Sequence, residues 1–171
     1  MNPEDAALNR IEQVIQEKVR IASRMLRCGS CSQNDIGADY TFCLQKNGGI
    51  LELHSLATNK IRYEASGWYH FIIHKYDPAN IYCFSPCDKP LGWGHVGHQS
   101  LAKLIAAKMF NPLYYVGTDV LLAGRINFDC GRIMWWDNAS GHYRPSDEDV
   151  ELNIPAPLRL ILRKDLYNAS W

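Results

Sequence analysis

The sequence has no excess of either charge. Eighteen basic and eighteen acidic side chains cancel, and no Lys/Arg-rich run stands out. Neither a phosphate backbone nor an anionic lipid surface finds a basic stripe to hold. No apolar run approaches the about 18 residues that cross a bilayer as a helix. The opening MNPEDAALNR is polar and acidic, without the basic start and apolar stretch of an export signal. The expectation is a chain that is cytoplasmic as synthesised, inserts in no membrane and binds no nucleic acid. Internal repeats, low-complexity segments and linker-like composition are missing as well. With 47% apolar and 21% charged residues over 171 positions, disorder is excluded and the chain is long enough to bury a real core.

What is present changes period along the chain. Leu8, Ile11, Ile15, Val19, Ala22 and Met25 recur at spacings of three and four, which predicts an amphipathic helix within residues 1–28. Asn2 before Pro3, then Glu4 and Asp5, reads as its cap and acidic first turn; Gly29 reads as its stop. From residue 38 a β-rich body is expected, with all 171 residues forming one domain. YTFCLQ and ILELHSL flank KNGG, a strong hairpin signal. KIRYEA, WYHFIIHKY and IYCFS follow as short strands. SLAKLIAAKMF predicts a second, short helix with Leu101, Leu104, Ile105 and Met109 on one face, ended by Asn111-Pro112. LYYVG, VLLAGRINF and RIMWWDN read as strands, the last two joined by a tight turn at DCG. PSDEDVELN reads as an acidic loop. PAPLRLILRKDLY fits a strand or a short helix equally. The order predicts an α+β fold: an N-terminal amphipathic helix and a second short helix packed on a twisted, mainly antiparallel β-sheet.

Three groups of residues could carry chemistry. Cys28-x-x-Cys31 and Cys83-x-x-x-Cys87 are paired thiols on loops, so zinc is the metal they would take. The competing reading is free thiols filling space, and no cofactor is favoured. Cys28 sits at the negative end of the first helix, which opposes thiolate formation and speaks against redox work. In GWGHVGHQS, His95 and His98 bring imidazoles near neutral pKa, and glycines allow close backbone approach. Ser100 is either a nucleophile activated by His98 or His142, or a helix cap. In SGHYRPS, His142 offers acid–base chemistry, Tyr143 a hydroxyl, and Arg144 a fork for an anionic group. Asn138 lies just before this turn as a substrate-binding candidate. The structural alternative is that Tyr143 closes the edge of the core while Asp137 and Asn138 bond the turn. His70 and His74, four apart in a strand, share a face and are set aside as ordinary strand histidines.

Gly97-His98-Gln99-Ser100-Leu101, the run from Gly117 to Phe128, and Trp136 to Ser146 together form a pattern GHxSL, GxxVxxAGxIxF, WDNxSGHYRPS. It resembles that of a small domain found in bacterial secreted effectors and at the toxic ends of polymorphic toxins. The likeness covers roughly His95 to Ser146. Two departures stand out: Arg125 replaces the glutamate that usually follows AG, and the helix Ser100 to Phe110 is extra material. The resemblance implies an effector or toxin context, with delivery by a specialised bacterial system. Three functional expectations follow. The first is a hydrolase or group transferase using His98, His142 and Ser100 or Tyr143, with Arg144, Asn138 and His95 binding a small-molecule or protein substrate. The second is a non-catalytic module that recognises a host or cognate partner protein. The third is a zinc-stabilised structural domain.

Overall fold

In a computed structural model of the chain, the described residues are 2–7, 10, 13, 26, 33–88, 94–109 and 119–169. The first helix begins where the sequence places it. Residues 3–7 are helical (α1), and Asn2 caps them by accepting the Glu4 amide on Oδ1 at 2.9 Å. The apolar stripe from Leu8 to Met25 lies outside the described residues. Leu26 is paired as a β-bridge with Val120, through two backbone hydrogen bonds of 2.7 and 3.1 Å. Leu26 is therefore outside the helix expected within residues 1–28. The strand expected at LYYVG also lies outside the described residues.

Among the described residues, seven strands form one antiparallel sheet, as the alternating patterns require: β1 (Phe42–Asn47), β2 (Ile50–Ser55), β3 (Ile61–Arg62), β4 (Gly67–His74), β5 (Asp77–Phe84), β6 (Val120–Asp129) and β7 (Arg132–Trp136), in the order β3-β2-β1-β5-β4-β6-β7. Two glycine-bearing turns set the register. Gly48 takes φ +62 between Asn47 and Ile50. Cys130 and Gly131 take φ +47 and +80 between Asp129 and Arg132. Two positive φ values in a two-residue loop make the turn whose twist matches the flanking strands. β5 begins four residues earlier than IYCFS indicates, because Asp77 opposes His74 across a tight turn.

The sheet curls until its ends meet. Gly131, at the tip of the β6–β7 hairpin, donates its N–H to the Ala65 carbonyl at 2.8 Å and accepts the Leu51 N–H at 2.7 Å. A Cβ at this position would sit 2.3 Å from Ile50 Cγ2, so only glycine fits the junction. Within the curl lies the larger core, with Leu53, Phe71, Ile73, Cys83 and Ile126 fully buried. The other face, with Ile72, Phe84 and Ala123, is covered by α2 (His98–Met109) through Leu101, Ala102 and Ile105. The fold is α+β, with helices on both faces of an antiparallel sheet. Among the described residues no helix is long and apolar enough to cross a membrane.

The segment after the SGHYRPS turn departs from expectation. PSDEDVELN is not a loop but contains α3 (Asp147–Asn153). Ser146 accepts the Asp149 amide, and the Asp149 carboxylate accepts the Ser146 amide, a reciprocal cap. Asp147, Glu148 and Asp149 then lie at the positive end of the helix dipole. PAPLRLILRKDLY resolves into two short 3-10 helices, Ala156–Leu160 and Lys164–Leu166. This tail runs along the outer edge of β7: Trp136 bridges Tyr167, and its indole N–H donates to the Arg163 carbonyl at 2.7 Å. The edge that an exposed strand would leave open is closed there. Ser146→Ala is expected to cost about 1 kcal/mol, read as a lower denaturation midpoint with unchanged slope; an unchanged midpoint contradicts the capping role.

Candidate functional site

The site is built on two adjacent rows of the sheet. In one row His70 of β4 opposes Arg125 of β6, and the Asp137 amide donates to the Arg125 carbonyl at 2.9 Å just beyond β7. In the next row Trp68 opposes Asn127, which opposes Trp135. Period-two alternation puts the five strand side chains on the face that α2 covers, and Asp137 joins them through its bonds to Arg125. α2 stops short of them, so its first residue, His98, stands at the boundary.

His98 is fixed by three neighbours. Its Nε2 lies 2.8 Å from the Gly124 carbonyl oxygen, its ring meets that of His70 edge-on at 4.7 Å, and only 6% of its surface is exposed. A carbonyl can only accept, so Nε2 carries the hydrogen and Nδ1 carries the lone pair. Among the described residues none bonds to that Nδ1. Burial is the main force on its titration and pushes the pKa down to about 4; the Gly124 bond and the Asp137 charge work the other way, and His142 and Arg125 reinforce the fall. His142 is thus close enough for its charge to bear on His98, although it is exposed on its own turn. His70 is pushed further, to about 3, first by burial and then by the charges of His98, Arg125 and His95. Its Nδ1 is buried without a hydrogen bond. Both rings are neutral at neutral pH.

Arg125 and Asp137 lock the other half of the site. The Asp137 carboxylate accepts from Arg125 Nε at 2.9 Å and from its NH2 nitrogen at 2.6 Å. It also accepts the Arg125 and Ala139 amides. Asp137 is buried, while the guanidinium stays half-exposed with its carbon 5.5 Å from the Trp135 ring centroid. The junction needs Gly124. A Cβ there would fall 1.9 Å from the Asp137 carbonyl oxygen and 2.9 Å from Phe71 Cε1. The bare backbone lets the chain cross as it leaves β7.

The other residues singled out from sequence hold this framework. Ser100 is the third residue of α2 rather than its cap. Its hydroxyl accepts the Gly97 N–H at 3.2 Å and donates to the Asn34 carbonyl at 2.5 Å, with 1% exposed. Tyr143 is 5% exposed and packs in the core beneath α2. Asn138 is fully buried and donates to the Pro145 carbonyl at 2.7 Å. Arg144, at φ +45, folds its Nε back to the Gly141 carbonyl at 3.1 Å. His95 is exposed beside Gln33, at 3.5 Å. Cys28 and Cys31 lie outside the described residues; Cys83 is buried in β5 and Cys87 is exposed on a short turn. Among the described residues no three His, Cys, Asp or Glu side chains converge as metal ligands do. His70, expected to be an ordinary strand histidine, and Arg125, expected only as a departure from the motif, belong to the site, together with Trp68 and Trp135, which the sequence does not mark as site residues. Only the pairing of β4 with β6 and β7 gathers them, and no local signal marks it.

No protein-family model matches the chain, and neither does a curated protein or a solved structure.

Two outcomes test the geometry. Gly124→Ala is expected to destabilise by at least about 2 kcal/mol in chemical denaturation, because backbone and not a flexible side chain blocks the new methyl. Acid should also destabilise the fold. His70, His74 and His98 have folded pKa values of about 3, 4 and 4, all with burial as the first cause. Between about pH 6.5 and these values the unfolded chain binds protons that the folded chain refuses, so stability falls as pH falls. Each ring approaches about 1.4 kcal/mol per pH unit within that window. Melting temperatures of the wild type should drop from pH 7 to 4.5, and more gently in His98→Gln. Equal slopes in the two proteins count against a buried neutral His98.

Proposed function

We propose that the protein is an acid–base enzyme, a hydrolase or group transferase, acting where His98, His70, Arg125 and His142 gather. The observation that carries this is the tautomer of His98. The Gly124 carbonyl takes its Nε2 hydrogen and leaves Nδ1 as a positioned base. The low pKa makes that base weak but unprotonated throughout the neutral range, so none of it is lost to the imidazolium form. His142, exposed on the SGHY turn, supplies a second imidazole able to pass a proton to or from solvent. Arg125 keeps N–H groups beyond the two that Asp137 engages, and these can orient an acceptor on a small-molecule or protein substrate. Ser100 and Tyr143 position the histidines in this scheme and do not react. The likeness to effector and toxin domains supports a bacterial setting of that kind, since its two motif halves supply His98 and His142.

His98→Gln separates chemistry from architecture, because the glutamine amide can still donate to Gly124 while offering no imidazole base. Expressed in a bacterial host or assayed on ester, amide and phosphoester panels, the wild type should show toxicity or turnover. His98→Gln should lose at least about 100-fold, with a melting temperature close to that of the wild type at pH 7.5. Full activity in a folded His98→Gln protein ends the proposal.

The second reading is a recognition module without turnover. Trp68 and Met134 are exposed, at 37% and 53%, on the strands that frame the site. On that reading His98→Gln leaves binding of the partner unchanged, and no substrate is turned over.

A further inference from the structure

The row beside the histidines holds a feature that the acid–base proposal does not use. Trp68, Asn127 and Trp135 are consecutive cross-strand neighbours on one face. Neighbouring strands lie about 4.8 Å apart, so the two tryptophan backbones are about 10 Å apart with Asn127 between them. A flat ring making van der Waals contact on both sides needs about 7 Å. Trp68 is 37% exposed and held edge-on to His70 at 5.1 Å; Trp135 is half-buried and carries the Arg125 guanidinium near its face. Each indole is therefore braced by a neighbouring side chain and keeps part of its surface exposed.

The floor between them is polar and unengaged. Among the described residues none bonds to the Asn127 side-chain amide, which is half-buried. A primary amide presents a donor and an acceptor side by side. That pairing matches the edge of a heteroaromatic ring with adjacent acceptor and donor positions, as an asparagine matches adenine. Charge narrows the ligand further. Arg125 and Asp137 neutralise each other within 2.6 Å, so the shelf offers directed N–H groups and no net charge. A strongly anionic ligand gains little here, and a neutral one loses nothing.

We propose that Trp68, Asn127 and Trp135 form a binding shelf for a neutral planar heterocycle of the nucleobase type, stacked by the indoles and read by the amide. This rests on the proposed active centre, because it places such a ring beside His98 and Arg125 as the recognised part of the substrate. The ligand is a free heterocycle or nucleoside; the balanced charge of the chain offers no track for a nucleic-acid backbone.

Calorimetric titration of the full chain tests it with adenine, cytosine and uracil as probes, and with cyclohexanecarboxamide as a non-planar amide control. At least one base is expected to bind, and the control is not. Trp68→Ala, Trp135→Ala and Asn127→Leu should each weaken that binding about tenfold, the loss of one stacking or edge contact. Circular dichroism melts confirm that each variant is folded. Should Trp135→Ala unfold, Trp135→Leu replaces it. His98→Gln should bind the base within about twofold of wild type, which keeps the two proposals apart. Binding with no turnover in any assay sinks the enzyme and leaves the shelf. No binding by any base at millimolar concentration, equal binding of the control, or affinity untouched by all three shelf variants overturns the shelf and leaves the enzyme standing.

Discussion

The Asp137 carboxylate is the fastening on which the rest of the site hangs. It sits almost out of water and accepts four hydrogen bonds: two from the Arg125 side chain, one from the Arg125 amide and one from Ala139. A buried carboxylate without those partners would be a severe liability. With them it fixes where the chain leaves β7, how Arg125 lies against Trp135, and which way the SGHY turn faces. The crossing is open only because residue 124 has no side chain. The same glycine lends its carbonyl to His98, so one bare position serves both halves of the site.

That economy explains why several chemically suggestive residues are structural. Ser100 spends its hydroxyl on the backbone at Gly97 and Asn34, which pins the approach to α2. Asn138 holds Pro145, and the Ser140 hydroxyl takes the Tyr143 amide, so the turn is tied internally before α3 begins. Tyr143 fills the core below α2. Among the described residues of the site, the groups left with unused capacity include Nδ1 of His98 and of His70, the ring of His142, part of the Arg125 guanidinium and the Asn127 amide. Chemistry is concentrated on what the scaffold does not consume.

The architecture was largely legible because the turns are strongly marked. KNGG and DCG fix two hairpins, and the alternation in VLLAGRINF and WYHFIIHKY fixes two long strands. α3 is hidden in the sequence because DEDVELN has a single buried apolar side chain, Val150, and so almost no periodic stripe. Its signal was the cap, Ser146 with Asp149 three residues on. The C-terminal segment was undecidable by period, since 3-10 turns have neither the strand repeat nor the helix repeat. Half of the candidate site was legible through His98 and His142, which sit on glycine-rich loops. His70, Arg125 and the shelf tryptophans were not, because strand pairing and register between distant segments decide their company. A histidine in WYHFIIHKY carries no mark of the arginine it will face.

The contact of Gly131 with Ala65 and Leu51 has a consequence for how the molecule comes into being. The strands made first cannot close on themselves; their free edge is completed by a hairpin tip encoded far downstream. Until β6 and β7 exist, the concave core stays open to solvent and β2 lacks its last partner. Assembly is therefore governed by long-range closure, which is entropically slow compared with local helix or hairpin formation. A nascent chain of this protein would remain a half-wound ribbon, dependent on protection from its own exposed interior, until its final third has emerged.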